Sequence, residues 1–364
     1  MKKDLEQLIK ANNIDALWIS GAAQHNPSMT YFTGTVHVTG ADFFIIPGRK
    51  PILFHGMMER EEAKTGYELI SYSGYPLNGF LKITDNNQLA ANALRYKKIL
   101  EDIGLTKGNV LLYGNREFGP FYALIRELED LLPGIHFMGD YDDKIILEAR
   151  ATKDSAEIEE IRKMGYITTN VVKRVQDFLS AHKVVDETLV KEDGSVLTIG
   201  EVKSLINLWL AETGAENPEA TIFSIGRDGG IPHSVGTPSD PIKLGKSIVF
   251  DIFPCQEGGG YFYDFTRTWC LGYAPDEVQQ AYDQVKRVYE QVASELTLGV
   301  LASKYQDLTC ELFEEMGHET IRQNPAFEEG YIHSVGHGVG LNIHEKPWLG
   351  RQPDPDNILR VGSV

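Results

Sequence analysis

The amino-acid sequence predicts an α/β (α+β) protein of two domains, residues 1–150 and 151–364. At 364 residues and 42% hydrophobic content, the chain can bury two cores of ordinary domain size. Its first 150 residues alternate helical periodicity with short apolar runs, the pattern of helices layered on a sheet. Near residues 147–151 the alternation yields to one long amphipathic stretch, TKDSAEIEEIRKMGYITTNVVKRVQDFLSAH, and the second domain that it opens is organised around a hairpin.

In the first domain a polar helix is expected over 3–11, strands in IDALWIS and DFFIIP, and a polar helix over 57–64. A strand in YELISY, a helix over 89–103 and a strand in NVLLYG come next. No phosphate loop and no Gly-x-Gly-x-x-Gly fingerprint occurs. His25, His37, His55 and His136 are scattered and read as ordinary surface or core residues. DDKIILEAR reads as strand-like at the domain boundary. Thr152 or Asp154 can cap the long helix beyond it, and Glu157, Glu159 and Glu160 suit its positive end. Ile158, Ile161, Ile167, Val171, Val172, Val175 and Phe178 recur at helical spacing as a core stripe. KEDGS is a polar turn ahead of a helix over 199–211, and TIFSIG is a strand. Two more helices are expected over 276–296, where Pro275 suits a first turn, and over 303–316.

The central stretch is SIVFDIFPCQEGGGYFYDFTRTWCL, residues 247–271. An apolar run, a turn at Gly258, Gly259 and Gly260, and a mixed aromatic and β-branched run read as a β-hairpin. Residues equidistant from a hairpin turn lie opposite each other, about 5 Å apart, so Asp251 and Asp264 can converge. They are unequally distant from the glycines, which requires a bulge. Two carboxylates that close repel unless a proton or cation lies between them. Taken alone, the pair could equally be turn-formers. The histidines shift the balance: His333, His337 and His344, three of the ten in the chain, fall within twelve residues in HSVGHGVGLNIHEKP. His233 lies in a Pro/Gly-rich loop, GGIPHSVGTP, ahead of Asp251. Arg267 and Glu345 read as structural ion-pair partners.

Against 52 acidic residues stand 35 Lys and Arg, a formal net charge of −17, which disfavours a nucleic-acid partner. Cys255, Cys270 and Cys310 lack metal-site spacing and suit buried thiols in a reducing compartment. The N-terminus has no apolar signal core and no stretch approaches 18 apolar residues, so a cytoplasmic protein without membrane contact is expected.

DFTRT resembles the Asp-x-Thr-Arg-Thr signature, and HGVGLNIHE the His-Gly-x-Gly-x-x-x-His-Glu signature, of the pita-bread metallopeptidases, the family of methionine aminopeptidase, Xaa-Pro aminopeptidase and prolidase. The step from Asp251 to Asp264 exceeds the family's usual spacing by two residues, which a longer turn absorbs. The resemblance implies a creatinase/prolidase-like N-terminal domain that includes NPSMTYFTG, covers the active-site mouth and mediates a homodimer. A pita-bread catalytic domain comes after it. The resemblance further implies that two divalent metal ions are held with Asp251 as a terminal ligand, Asp264 as a bridging ligand and His337 as the imidazole ligand. Manganese suits the oxygen-rich set best, with cobalt, zinc or iron open. His233 and His344 would be catalytic, the first hydrogen-bonding near the scissile nitrogen, the second contacting the scissile carbonyl or its oxyanion. His333 would bind substrate by lining a prolyl pocket. The implied reaction is hydrolysis of the peptide bond preceding proline, in a peptide with proline at its second position, by a hydroxide bridging the two metals.

The family pattern also requires two later glutamates, the first in an apolar-Glu-Pro-Gly segment. The sequence ends at Val364, twenty-seven residues past His337, on NILRVGSV, which resembles the strand leading into the first of them. A C-terminally truncated catalytic domain, incomplete, nearly inactive and weak in metal, is therefore the expectation. Two alternatives stand beside it. One is a catalytically inactive peptide-binding relative. The other is a creatinase-like metal-free hydrolase, which lacks the aspartate ligands and so suits Asp251, Asp264 and His337 poorly.

Overall fold

In the computed structural model, which describes residues 4–63, 66–326, 328–350 and 354–364, strand β1 (Ala16–Gly21) is buried at all six positions. Lys3 and Lys64, the ends of two expected helices, lie outside the described residues. A strand buried on both faces must be covered on both. β1 sits inside a six-stranded sheet of order β4-β3-β2-β1-β5-β6, with β2 (Ala41–Ile45), β3 (Ile52–His55), β4 (Glu68–Ser71), β5 (Gly108–Asn115) and β6 (Ile135–Met138). β2 pairs antiparallel with β1 and β3, and the other pairings are parallel. The two-residue period of β1 sends Leu17 and Ile19 into one core with Leu5, Ile9, Met29 and Phe43. Ala16 and Trp18 go into another with Phe44, Ile99, Val110 and Leu128. Helices α1 (Leu5–Ala11) and α2 (Pro27–Thr33) serve the first core; α4 (Gln88–Asp102) and α5 (Phe118–Leu131) serve the second, and α3 (Leu77–Ile83) lies along α4. α2 starts where Asn26 accepts the Met29 N–H at 3.3 Å and Pro27 fills the first turn. Asp42, 1% exposed, sits inside this layer. It accepts hydrogen bonds from Trp18 Nε1 at 2.7 Å, Tyr96 Oη at 2.7 Å, and the Ser20 and Tyr72 hydroxyls.

Two expectations for this unit fail. The polar helix over 57–64 is, among the described residues, a 3-10 turn at Met57–Glu59: Met57 and Met58 both face solvent, and the small side chain of Ala63 is the segment's one buried contribution, too little to hold a longer helix. DDKIILEAR forms helix α6 (Lys144–Arg150), not a strand. The Asp140 carboxylate accepts the Lys144 N–H at 2.7 Å, and Ile145, Ile146 and Ala149 are buried at helical spacing.

The chain divides into Met1–Ala149 with Gly258–Gly260, and Arg150–Glu257 with Tyr261–Val364. In the second unit α7 (Ser155–Ser180) opens on a capping box between Asp154 and Glu157, and α8 (Ile199–Ala211) on one between Thr198 and Glu201. Ile161, Val171, Val172 and Val175 of the expected stripe are buried, whereas Ile158, Ile167 and Phe178 are half-buried at its margin. A small hairpin, β7 (Lys183–Val185) and β8 (Thr188–Val190), precedes α8. Strands β9 (Ala215–Glu216), β10 (Ile222–Ile225), β11 (Ser247–Ile252), β12 (Cys255–Gln256) and β13 (Phe265–Cys270) come after it, with β10-β11-β13 forming an antiparallel sheet. Phe223, Ile248, Phe250 and Ile252 share one core with the buried faces of α7 and α8. Helices α9 (Asp276–Glu295) and α10 (Ser303–Glu315) lead to a last pair, β14 (His337–Gly338) and β15 (Glu345–Trp348).

The hairpin differs from the expected one. β11 and β13 pair directly, Asp251 opposite Thr266 and Ile252 opposite Phe265, over six pairs without a register shift. The intervening residues make an excursion in which β12 pairs with β9, Cys255 bridges Phe262, and Gly258–Gly260 groups with the first unit. No bulge is needed, because Asp264 lies just before β13 instead of opposite Asp251. NILRVGSV, expected as a strand lead-in, makes one isolated bridge, Leu301 to Ile358.

Candidate functional site

Along β11 the sequence SIVFDI alternates, so that Ile248, Phe250 and Ile252 enter the core and Asp251 stands on the opposite face. Thr266, its cross-strand partner, donates from Oγ1 to Asp251 Oδ1 at 2.6 Å. Asp264 is two residues before Thr266, which makes it the diagonal neighbour of Asp251 on the same face. Burial, and then the Asp251 charge and hydrogen bond, push the Asp264 carboxyl up to about 6 against the lowering influence of His337.

His337 Nε2 is 3.5 Å from Asp264 Oδ2. Its other nitrogen, Nδ1, is 3.0 Å from the Gly338 carbonyl oxygen, a contact that places a proton on Nδ1 and leaves Nε2 directed at Asp264. The His344 ring lies 4.3 Å from the His337 ring. Burial lowers the His344 pKa, and so do the charges of His337, His233 and His333, opposed by Asp251. His233 and His333 rings are 6.2 Å apart at 85°. All six residues singled out in the sequence, Asp251, Asp264, His233, His333, His337 and His344, thus share one neighbourhood within the second unit.

The glycines between the histidines have steric reasons. A Cβ on Gly338 would lie 2.3 Å from the Lys346 carbonyl oxygen, and one on Gly340 would lie 2.5 Å from Glu345 Oε2. Glu345 is an ion-pair partner, of Arg150 and of Lys153. Arg267 makes no ion pair among the described residues: from an exposed strand position its guanidinium lies 3.9 Å over the Phe265 ring and donates to the Thr266 carbonyl. Cys255 is buried, which pushes its thiol up to about 12 and leaves it inert.

Two contributors carry no usable signal in the sequence. Thr266 is visible in DFTRT, but its bond to Asp251 depends on the strand register. Gln306, 2% exposed, accepts the Val335 N–H at 2.7 Å and donates to the His333 carbonyl at 3.2 Å; a glutamine in a helix otherwise reads as surface.

Two carboxylates pressed together, with an imidazole nitrogen turned toward one of them, fit a divalent cation in charge and donor type. They are not drawn into a coordination shell: among the described residues no group of three or more His, Cys, Asp or Glu side chains is disposed to hold a metal. Among the described residues, too, no helix is long and apolar enough to cross a membrane.

Residues 159–364 match metallopeptidase family M24. The chain is similar to the Xaa-Pro dipeptidase of Pyrococcus furiosus, 25% identical over 368 residues covering 100% of this chain and 89% of the relative. It is similar also to that of Pyrococcus horikoshii, 26% identical over 366 residues covering 100% and 87%. Among solved structures, the prolidase from Pyrococcus horikoshii OT3 superposes with a TM-score of 0.69 at 20% identity, covering 99% of this chain and 87% of that one. The X-Pro aminopeptidase from Thermotoga maritima MSB8 does so at 0.70 and 22% identity, covering 98% and 88%. At such identities the likeness establishes the fold, the pita-bread fold of these proteins.

Proposed function

The chain belongs to metallopeptidase family M24, and on that premise we propose that it hydrolyses the peptide bond preceding proline, as an Xaa-Pro dipeptidase or aminopeptidase. The observation that carries the reading is the meeting of Asp251, Asp264 and His337 on one side of β11 and β13, with three further histidines around them. Asp251, Asp264 and His337 would hold the metal, manganese best among the candidates for an oxygen-rich set. When bound, the metal supplies an activated water and polarises the scissile carbonyl.

The chain's own residues do the rest. Thr266 fixes the Asp251 carboxylate by its hydrogen bond. His344 has a lowered pKa and is therefore neutral at neutral pH, able to donate one hydrogen bond to the carbonyl oxygen without carrying charge into the site. His233 is assigned to the scissile nitrogen and His333 to the prolyl ring. The family resemblance also carries a homodimer, which light scattering tests.

One observation favours a second reading, a peptide-binding relative with little or no turnover: among the described residues no further carboxylate completes the metal group. Hydrolysis of Xaa-Pro and Xaa-Ala dipeptides with added manganese, beside calorimetric metal titration, separates the two. Cleavage confined to Xaa-Pro supports the peptidase. Peptide binding without cleavage supports the relative, and equal cleavage of both peptides overturns the proline specificity.

A further inference from the structure

The histidine segment closes around a carboxylate that the proposed chemistry does not use. Glu345 is 1% exposed, and its two oxygens have different partners. Oε1 takes the Arg150 guanidinium and the Asn342 N–H at 2.9 Å, and Oε2 takes the Lys153 ammonium at 3.1 Å. Arg150 also donates to the Asn342 side-chain oxygen. Both cations are buried. Gly340 leaves room for the carboxylate, since any Cβ there would overlap it. Glu345 is next to His344 in sequence, and in the β14–β15 pairing it faces Gly338, the residue after His337. The anchored residue is thus one position from each of two imidazoles whose rings lie 4.3 Å apart.

Burying three charges costs desolvation that their attraction roughly offsets, so such a cluster adds little net stability. What it does fix is geometry. The carboxylate cannot shift without breaking its ion pairs with the two buried cations. We propose that Glu345 is a positioning residue: held by Arg150 and Lys153, it sets the spacing and orientation of His337 and His344, and through them metal capture and the contact of His344 with the substrate. The functional half of this inference rests on the peptidase reading above; the geometric half does not.

The test uses E345Q, which keeps the shape and removes the charge, E345D, which keeps the charge and shortens the reach, and K153M. Because E345Q removes the carboxylate that both buried cations face and can fail to fold, K153M, which retains the Arg150–Glu345 pair, is the decisive variant. In the metal-free protein, the imidazole proton and nitrogen resonances of His337 and His344 should move in K153M and E345D, while those of His233 and His333 stay in place. Manganese affinity measured by calorimetry should fall about 10- to 100-fold, the usual cost of losing an outer support, and kcat should fall more than KM rises. Unmoved His337 and His344 resonances in a folded K153M overturn the inference. Absence of Xaa-Pro cleavage by the wild-type protein overturns the peptidase reading instead, and the ring resonances still decide the positioning role.

Discussion

Asp42 in the first unit is a fully buried carboxylate and Asp264 in the second a half-buried one, and they are held in opposite ways. Asp42 has both oxygens occupied by four neutral donors, from Trp18, Ser20, Tyr72 and Tyr96. Asp264 faces a second carboxylate and the Nε2 side of the His337 imidazole. A buried charge whose hydrogen bonds are complete needs nothing further and acts as structure. A carboxylate packed against another carboxylate is short of positive charge, and only a proton or a cation supplies it. Glu345 is a third solution, a buried carboxylate neutralised by two built-in cations. The difference between structural and chemical carboxylates here lies in what surrounds them, since depth of burial alone would rank Asp42 as the more unusual.

The largest effect should come from D264A. If Asp264 is the direct ligand proposed above, its loss should exceed the 10- to 100-fold that outer supports cost, so Xaa-Pro hydrolysis should drop by more than about 100-fold and manganese binding should vanish from the calorimetric trace. The metal-free variant should be at least as stable as wild type, because a carboxylate repulsion is gone. A D264A protein that binds manganese normally, or that unfolds like a core mutant, would break the contrast with Asp42.

D42N should do the reverse. An amide cannot accept from all four donors, and its NH2 must face either the Trp18 and Ser20 pair or the two tyrosines. Leaving buried donors unsatisfied should cost about 2–4 kcal/mol, read from urea unfolding. Activity per folded molecule should be unchanged. Loss of activity without loss of stability would make Asp42 a functional group.

How much of the molecule is legible in the sequence depends on how local each cause is. The helices α7 and α8 can be read, because their caps lie within three residues of the first turn and their apolar stripes repeat at helical spacing. α6 passes for a strand since its start is set by Asp140, outside the apolar run itself. The helices α3 and α5 and the strand β6 escape a reading of the sequence, α3 having no fully buried residue to give it a stripe. At the site, residue types and motifs draw attention to six side chains, but not to their register. Counting from the glycines brings Asp251 opposite Asp264 only with a bulge, whereas β12 pairs with β9 and takes the turn residues out of the hairpin. Non-local partners such as Lys153 and Gln306 leave no periodic trace, since each makes its contact across about thirty residues or more.

The smallest effect is a dependence on pH, and it sharpens the contrast between the carboxylates. Burial raises the Glu345 pKa, but the Arg150 and Lys153 charges and the Asn342 N–H outweigh it and hold the group below its usual 4.5. Its stabilisation is therefore present above 4.5 and lost as the pH falls through the folded value. Asp264 has the opposite sign. Burial and Asp251 raise it from 3.8 to about 6, so its contribution is greatest below 3.8 and is lost as the pH rises toward 6. In chelator-treated protein, the urea midpoint of D264A minus that of wild type should grow from pH 4 to pH 6 and then level off. Added manganese should remove the difference by stabilising the wild type alone, because the cation then supplies the charge that the proton supplied. Acid unfolding below pH 4 should persist in both proteins, since it belongs to Glu345 and not to Asp264. A D264A difference that is flat across this range would mean that Asp264 titrates as an ordinary solvated carboxylate, leaving no electrostatic ground for setting it apart from Asp42.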